Sequence, residues 1–283
     1  RLEETHYSTV PALSDFIQQE PEDGEPATEK TEARIFFDNR NIYVAARCWD
    51  SHPERAIENE MRRDGLNINQ NENFTVIFDP FHDRRNGLVF QTNSLGGLRD
   101  MAVTDEGNPS LDWNTVWDAR TSRFDEGWTV EMVIPFKSLR YGEGPDRVWG
   151  INLRRVVRWK NEHSYLAPIP AFLQQRGIFS VSLAANLVGL EVPTSGRTLE
   201  LKPYGITGVR SDLSATPASV NKREGDLGFD VKYGLNRSLT FDFTYNTDFA
   251  QVEDDAQQVN LTRFNLQFPE RREFFLEGQG IFS

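Results

Sequence analysis

Apolar and polar residues alternate with a period of two through much of the chain. Ile42, Val44, Ala46 and Cys48 alternate with Tyr43, Ala45, Arg47 and Trp49, and Trp128, Val130, Met132 and Ile134 alternate with Thr129, Glu131 and Val133. Successive side chains of an extended strand point to opposite faces, so this period predicts strands with one buried face. Strands are predicted over 34–38, 41–50, 72–79, 87–93, 98–104, 116–124, 128–135 and 148–158. Between them lie DNRN, DPFHDRRNG, DEGNPS, DEG and GEGPDR, clusters with the turn chemistry that hairpins require. Short strands at this spacing predict an all-β antiparallel sandwich. Helix is predicted only around His52 to Arg62 and at Lys137 to Leu139.

Two stretches interrupt the alternation. Residues 18–33 are acidic and contain Pro21 and Pro26, which predicts an exposed connection after a short first strand. Residues 168–197 are punctuated by Pro168, Pro170, Gly177, Gly189, Pro193 and Gly196, a connector with brief strands. A domain boundary is placed there, with a sandwich over 1–190 and further antiparallel strands over 191–283. In that second part Phe229, Val231 and Tyr233, then Leu239, Phe241, Phe243 and Tyr245, then Leu266 and Phe268 alternate with polar residues. An aromatic face opposite a polar one suits the lipid and lumen sides of a membrane β-barrel, and equally a hairpin packed on the sandwich. About four such strands fit before Ser283, fewer than the ~8 that close a barrel.

Composition narrows the class. Aromatic residues make up 12% of the 283, with Phe 20, Trp 6 and Tyr 7, so the core leans on flat rings and favours β structure. A net charge of -12 argues against nucleic acid, whose phosphates need a basic field. Cys48 is the single cysteine, which excludes an internal disulfide, and its parity with Ile42, Val44 and Ala46 places it in the core. No run of 18 apolar residues exists to make a membrane-spanning helix. The chain opens at Arg1 without a basic start or an apolar signal segment, which fits a mature or a trimmed chain.

Several segments in order carry a resemblance. FFDNRNIYVAARCWDSHPERAIENEMRRDG, FTVIFDPFHDRRNGLVFQTNSLGGLRD, DWNTVWDAR, GWTVEMVIPFKSLRY, WGINLRRVVRWKNEHSYLAP, LELKPY and NLTRFNLQFPERREFFLEG together resemble a family of bacterial cell-surface proteins. Members of that family have a carbohydrate-binding module of the family 9 type, followed by an uncharacterised barrel. The resemblance implies an antiparallel sandwich, residence in the outer membrane of a Gram-negative cell, and glycan binding or glycan-related hydrolysis.

Recognition of a sugar needs flat aromatic faces together with charged or amide groups for its hydroxyls. DWNTVWDAR is the first candidate. If extended, Trp113 and Trp117 share a face about 13 Å apart at ~3.3 Å per residue, with Asp112, Asn114, Asp118 and Arg120 beside them. The alternative is that one or both rings fill the sandwich core. Tyr43, Arg47 and Trp49 form another aromatic and guanidinium group on the outward parity of their strand, or pack against a loop. The loop 79–87 gathers polar side chains, Arg85 among them, at a position where sandwiches bind ligands. Asp79 and Asp83 in this loop could join Asp38 or Asp50 around a structural calcium ion, or form a solvated acidic turn.

Asn152, Arg154, Arg158 and Lys160 share a parity opposite Trp149, Ile151, Leu153, Val157 and Trp159. Such a basic stripe suits an acidic sugar or carboxylate, or pairs with Glu131 and Thr129 of a neighbouring strand. Arg155 falls on the apolar parity, so it has a buried partner or marks a bulge. Nothing singles out a catalytic pair among the 43 acidic residues, and HExxH, GxSxG and phosphate-loop motifs are absent. The reading is therefore a non-catalytic glycan-binding module attached to an outer-membrane barrel. The alternatives are a transport or partner-binding domain of such a barrel, and a glycan hydrolase.

Overall fold

The computed structural model describes residues 10–107, 109–111, 113–142, 148–193, 199–212, 219–234 and 240–246. The chain divides into two compact units, Arg1–Thr194 and Ser195–Ser283. The first is a β-sandwich. One sheet has four strands in the order β2 (Thr31–Phe37), β3 (Asn41–Trp49), β8 (Gly127–Pro135) and β7 (Asp118–Phe124). The other has seven. β1 (Ile17–Glu20), β10 (Glu162–Tyr165), β9 (Trp149–Val157), β4 (Asn73–Asp79), β5 (Gly87–Asn93) and β6 (Leu98–Val103) lie side by side, and β11 (Ala185–Leu187) pairs with the start of β9. Every pairing is antiparallel.

The alternation read from the sequence becomes the core. Ile42, Val44, Ala46 and Cys48 of β3 and Val130, Met132 and Ile134 of β8 meet Phe74, Val76, Phe78, Phe90, Trp149, Ile151 and Leu153 of the other sheet in one buried cluster. Cys48 is fully buried, and desolvation pushes its thiol up to about 11. β4 and β9 are buried along their whole length because the seven-stranded sheet is covered on its outer side too. There Ile77, Val89, Met101 and Val103 pack under Ile178 and Val181.

That cover corrects the expectation for residues 168–197. Its middle is 3-10 turns over Ala171–Phe179 and Val181–Leu183, folded onto the sheet, with β11 as a brief strand among the described residues. Residues 18–33 form the expected exposed connection over 21–26 and are buried at its two ends. β1 runs into this stretch, Gln18 and Gln19 are buried, and their amides donate to the carbonyls of Pro26 and Pro170. The predicted helix at His52–Arg62 is reduced to one 3-10 turn at Pro53–Arg55. Asn71 Oδ1 accepts the backbone amides of Asn59 and Glu60 at 2.7 and 3.0 Å, which diverts them from helical bonding. Around Lys137 a single 3-10 turn, Phe136–Ser138, is all that forms.

The second unit contains three described strands, β12 (Leu199–Asp212), β13 (Ser219–Gly234) and β14 (Thr240–Tyr245), paired in that order. Phe229, Val231 and Tyr233 stand in register with Tyr245, Phe243 and Phe241 on one side and with Pro203, Leu201 and Leu199 on the other. Leu199, Leu201, Leu227, Phe229, Phe241, Phe243 and Tyr245 are exposed, so this sheet carries an open apolar face. Leu239, Leu266 and Phe268 lie outside the described residues, as does the opening stretch 1–9.

Candidate functional site

The outer face of the four-stranded sheet gathers residues that are scattered in sequence. Register places Glu32, Arg47, Thr129 and Ser122 in one row across it, Arg34, Ala45, Glu131 and Arg120 in the next, and Phe36, Tyr43, Val133 and Asp118 in a third. Tyr43, Arg47, Trp49 and Arg120, nominated from two separate segments, therefore share one surface. Arg120 is exposed on the edge strand β7, directly opposite Glu131. Ala45, flanked by these long side chains, is 1% exposed.

The aromatic groups on this face are held in place by neighbours. Tyr43 stacks on Phe36 with ring centroids 5.1 Å apart, and its hydroxyl donates to Asp38 Oδ2 at 2.8 Å. Burial and the Asp38 charge push the Tyr43 phenol up. Desolvation would raise Asp38, but the amides of Arg40 and Asn41 and the Tyr43 hydroxyl outweigh it and hold the carboxyl down. Trp49 meets Phe124 edge to face at 6.3 Å. The Arg47 guanidinium lies 5.7 Å from the Trp49 ring and 5.4 Å from the Phe124 ring, and Lys30 Nζ lies 4.7 Å over Trp49.

Phe124 leads from this face into a cleft at the end of the sandwich. The cleft has a volume of about 250 Å³ and is lined by Asp50, Pro53, Glu54, Ala56, Glu58, Arg123, Phe124, Gly127 and Trp128. Glu58 pairs with Arg123, and Asp50 accepts the Trp159 indole N–H at 3.2 Å. Trp159 was expected on the core face with Leu153. β9 instead stops at Val157, and the 3-10 turn Arg158–Lys160 turns this ring to the end of the sandwich, under Arg55 at 4.4 Å and beside His52 at 5.4 Å. Parity misses it because the strand ends first.

The other nominated residues lie elsewhere. Residues 113–117 are not a strand, so Trp113 and Trp117 do not form two exposed platforms. Trp117 is 6% exposed and packs 5.2 Å from Phe90, and half-buried Trp113 packs 6.1 Å from the same ring. The Trp117 indole N–H donates to buried Asp100 at 3.1 Å, the partner a buried tryptophan needs. Asp112 lies outside the described residues. Arg85 is exposed in the β4–β5 loop and pairs with Asp105 at 2.8 Å.

The calcium reading meets occupied carboxylates. Asp79 accepts the amides of Asp83 and Arg84, while Asp83 accepts those of Arg85 and Asn86 and the Asn86 side chain. Asp79 is opposite Gly150 at the start of β9, whereas Asp50 bonds Trp159 beyond its other end at Val157, about 23 Å of strand away at ~3.3 Å per residue. Among the described residues no group of three or more metal-ligating acids, histidines or cysteines gathers.

The basic stripe is likewise redistributed. β8 neighbours β3 and β7, so Glu131 faces Ala45 and Arg120 and never meets β9. Arg154 pairs across to Thr75 and Tyr165, while Arg158 bonds Asn161 and Lys160 pairs with Glu29 in the turn beyond.

Comparison with known proteins bears on each unit. Residues 196–283 match a domain of unknown function, DUF5916. Among solved structures, a candidate carbohydrate-binding protein from Bacteroides uniformis ATCC 8492 is similar at 12% identity and a TM-score of 0.52, over 65% of this chain and 88% of that one. A family 9 carbohydrate-binding module from Caldicellulosiruptor kristjanssonii, solved with cellotriose, is similar at 14% identity and a TM-score of 0.43, over 65% and 84%. Its complex with glucose gives 14% identity, a TM-score of 0.45, and coverage of 68% and 90%. The Bacteroides likeness supports the all-β sandwich. Comparison with curated proteins finds no match.

Proposed function

We propose that the first unit is a non-catalytic glycan-binding module whose ligand lies on the outer face of the four-stranded sheet, next to the end cleft. One observation carries this reading: Arg47 lies over both Trp49 and Phe124, so two rings and a guanidinium are gathered together, and Phe124 also lines the cleft. Aromatic faces take the C–H side of a sugar ring, and guanidinium and carboxylate groups take its hydroxyls. Arg34, Arg120 and Glu131 extend the polar part along the adjacent row. The fold is one shared with the candidate carbohydrate-binding protein of Bacteroides uniformis, which supports the reading at the level of architecture.

Calorimetric titration of the full chain with a panel of neutral and acidic oligosaccharides tests this. Saturable binding is expected, weakened about tenfold or more by Trp49→Ala or Phe124→Ala while the circular dichroism spectrum is retained. Failure to bind any member of the panel overturns it. So does binding that both variants leave intact.

A separate observation concerns the second unit. Its sheet alternates exposed Leu201, Phe229 and Phe243 with Lys202, Asp230 and Thr244, the pattern of a lipid-facing and a lumen-facing side. We infer that these strands belong to an outer-membrane barrel, which would carry the module at the surface of a Gram-negative cell. Flotation of the full chain with phospholipid vesicles is expected, and its loss in a Phe241→Asp/Phe243→Asp variant. A chain that stays with the soluble fraction refutes this.

A further inference from the structure

We propose that the outer side of the seven-stranded sheet holds a second ligand site, independent of the glycan face, that binds a carboxylate or inorganic oxyanion. Antiparallel register sets Arg99, Gln91, Thr75, Arg154 and Tyr165 in a single row across β6, β5, β4, β9 and β10. Cross-strand partners share a face, so all five side chains project to the side opposite the sandwich core. The row is buried, with Arg99 and Arg154 each 6% exposed.

Two arginines thus share one surface, Arg154 with its guanidinium largely withdrawn from water and Arg99 with nitrogens that still reach solvent, and among the described residues neither forms an ion pair with a carboxylate. Arg154 donates through Nη1 to the Gln175 carbonyl and through Nη2 to Thr75 Oγ1, both at 3.3 Å, and its side chain also bonds the Tyr165 hydroxyl, while its Nε is buried without an acceptor. The Arg99 side chain makes no hydrogen bond to the described residues, although its backbone belongs to the β5–β6 ladder. The charge of Asp64 reaches it, but Asp64 Oδ2 lies 3.5 Å from Arg63. Desolvation and the Arg154 charge pull Arg99 down. Buried charges are ordinarily paired, because desolvation is otherwise uncompensated.

Further polar atoms near the same row lack partners. Gln91 donates to Asn69 and Asn73 at 3.0 and 3.1 Å, so its amide N–H groups are engaged, and its Oε1, buried and unbonded, is an acceptor that takes no part in holding an anion. His163 Nδ1 on β10 is also buried without a partner, and the imidazole is held neutral by burial and by Arg154 and Arg158. Gln175 and Asn69 lie in the 3-10 turns Ala171–Phe179 and Leu66–Gln70, so the two turns are tied to the row by these bonds. Positive charge with unmet donors and little solvent access suits a small anion that accepts several N–H bonds. Guanidinium is the group whose fork matches carboxylate and phosphate oxygens.

The test uses the full chain with sodium acetate, sodium phosphate and, as control, sodium chloride at one ionic strength, read by thermal unfolding and calorimetry. A saturable rise in midpoint with acetate or phosphate and not with chloride is expected. Acetate alone identifies a carboxylate ligand, phosphate alone an inorganic oxyanion, and both together a general oxyanion site. Arg99→Gln should weaken binding about tenfold or more, while Arg85→Gln, a matched charge change on an exposed loop, leaves it unchanged. No saturable response, a response equal to that of chloride, or one unaltered in Arg99→Gln overturns the proposal. Should Arg99→Gln fail to fold, phenylglyoxal modification of the unsubstituted protein decides. Acetate or phosphate should slow labelling of Arg99, and equal labelling with and without the anion refutes the site.

Discussion

Arg155 Nη1 lies 3.2 Å from Glu72 Oε2, with both side chains fully buried. The pair sits on the core side of β9 and the start of β4, and the Arg155 guanidinium is 5.0 Å from the Trp128 ring. Glu72 Oε1 also accepts the Arg158 amide at 2.7 Å, so the carboxylate ties the end of β9 to β4. Burial pushes Glu72 up and the Arg155 charge opposes it. Breaking such a pair strands an uncompensated charge. Arg155→Met is expected to cost about 3–5 kcal/mol, and the Glu72→Leu/Arg155→Met double variant less than either single one. Denaturant unfolding of the three variants measures this, and a single variant costing under about 1 kcal/mol contradicts it.

Cys48 provides a probe of the same core. Its thiol is fully buried and pushed up to about 11 by desolvation, so thiolate is scarce in the folded protein at neutral pH. A thiol-specific disulfide reagent should label it only as the chain opens, at a rate that rises with denaturant. Immediate labelling of native protein contradicts the placement.

His163 makes acid stability directional. Burial, with help from Arg154 and Arg158, depresses its folded pKa to about 4 from an ordinary 6.5. The unfolded chain therefore binds the proton more readily, so the contribution is full above about pH 6.5 and is lost as pH falls towards 4. Glu72 and Asp100, both raised by burial, act in the opposite sense, so the readout is the difference from a variant. The stability of the unsubstituted protein should fall relative to His163→Gln by about 3 kcal/mol across that interval. Parallel pH profiles would exclude the burial of this imidazole.

Trp117 separates folding from recognition. It packs against Phe90 and donates to Asp100, whose carboxylate also takes the Thr115 amide at 2.6 Å and the Arg63 guanidinium. Trp117→Ala should cost about 3–5 kcal/mol while the affinity of the folded fraction for a bound glycan stays unchanged. A selective loss of affinity without loss of stability would return this ring to the binding surface.

Much of the sandwich was legible because strand parity is local. Ile42 through Cys48 and Trp128 through Ile134 could be assigned to the core from alternation alone, as could the conflict at Arg155, which resolved into a buried partner. Tyr43, Arg47 and Trp49 could be placed on the opposite face for the same reason. Parity failed where an element ended. Trp159 left the core face when β9 stopped at Val157, and the spacing of Trp113 and Trp117 lost its meaning in an irregular segment. The 3-10 cover over 171–183 has no periodic signature, since its prolines and glycines read as loop whether or not the loop is buried.

The sequence by itself determined which side chains share a face of each strand, since a backbone period of two follows from extended geometry within a few residues. Only the tertiary structure decided which strands are neighbours, because pairing joins segments far apart in the chain and no local pattern encodes the partner. That is why Arg120, nominated beside Trp117, came to lie with Arg47 and Tyr43. It is also why Arg154, expected to meet Glu131, lies across from Thr75 in a row with Gln91 and Arg99.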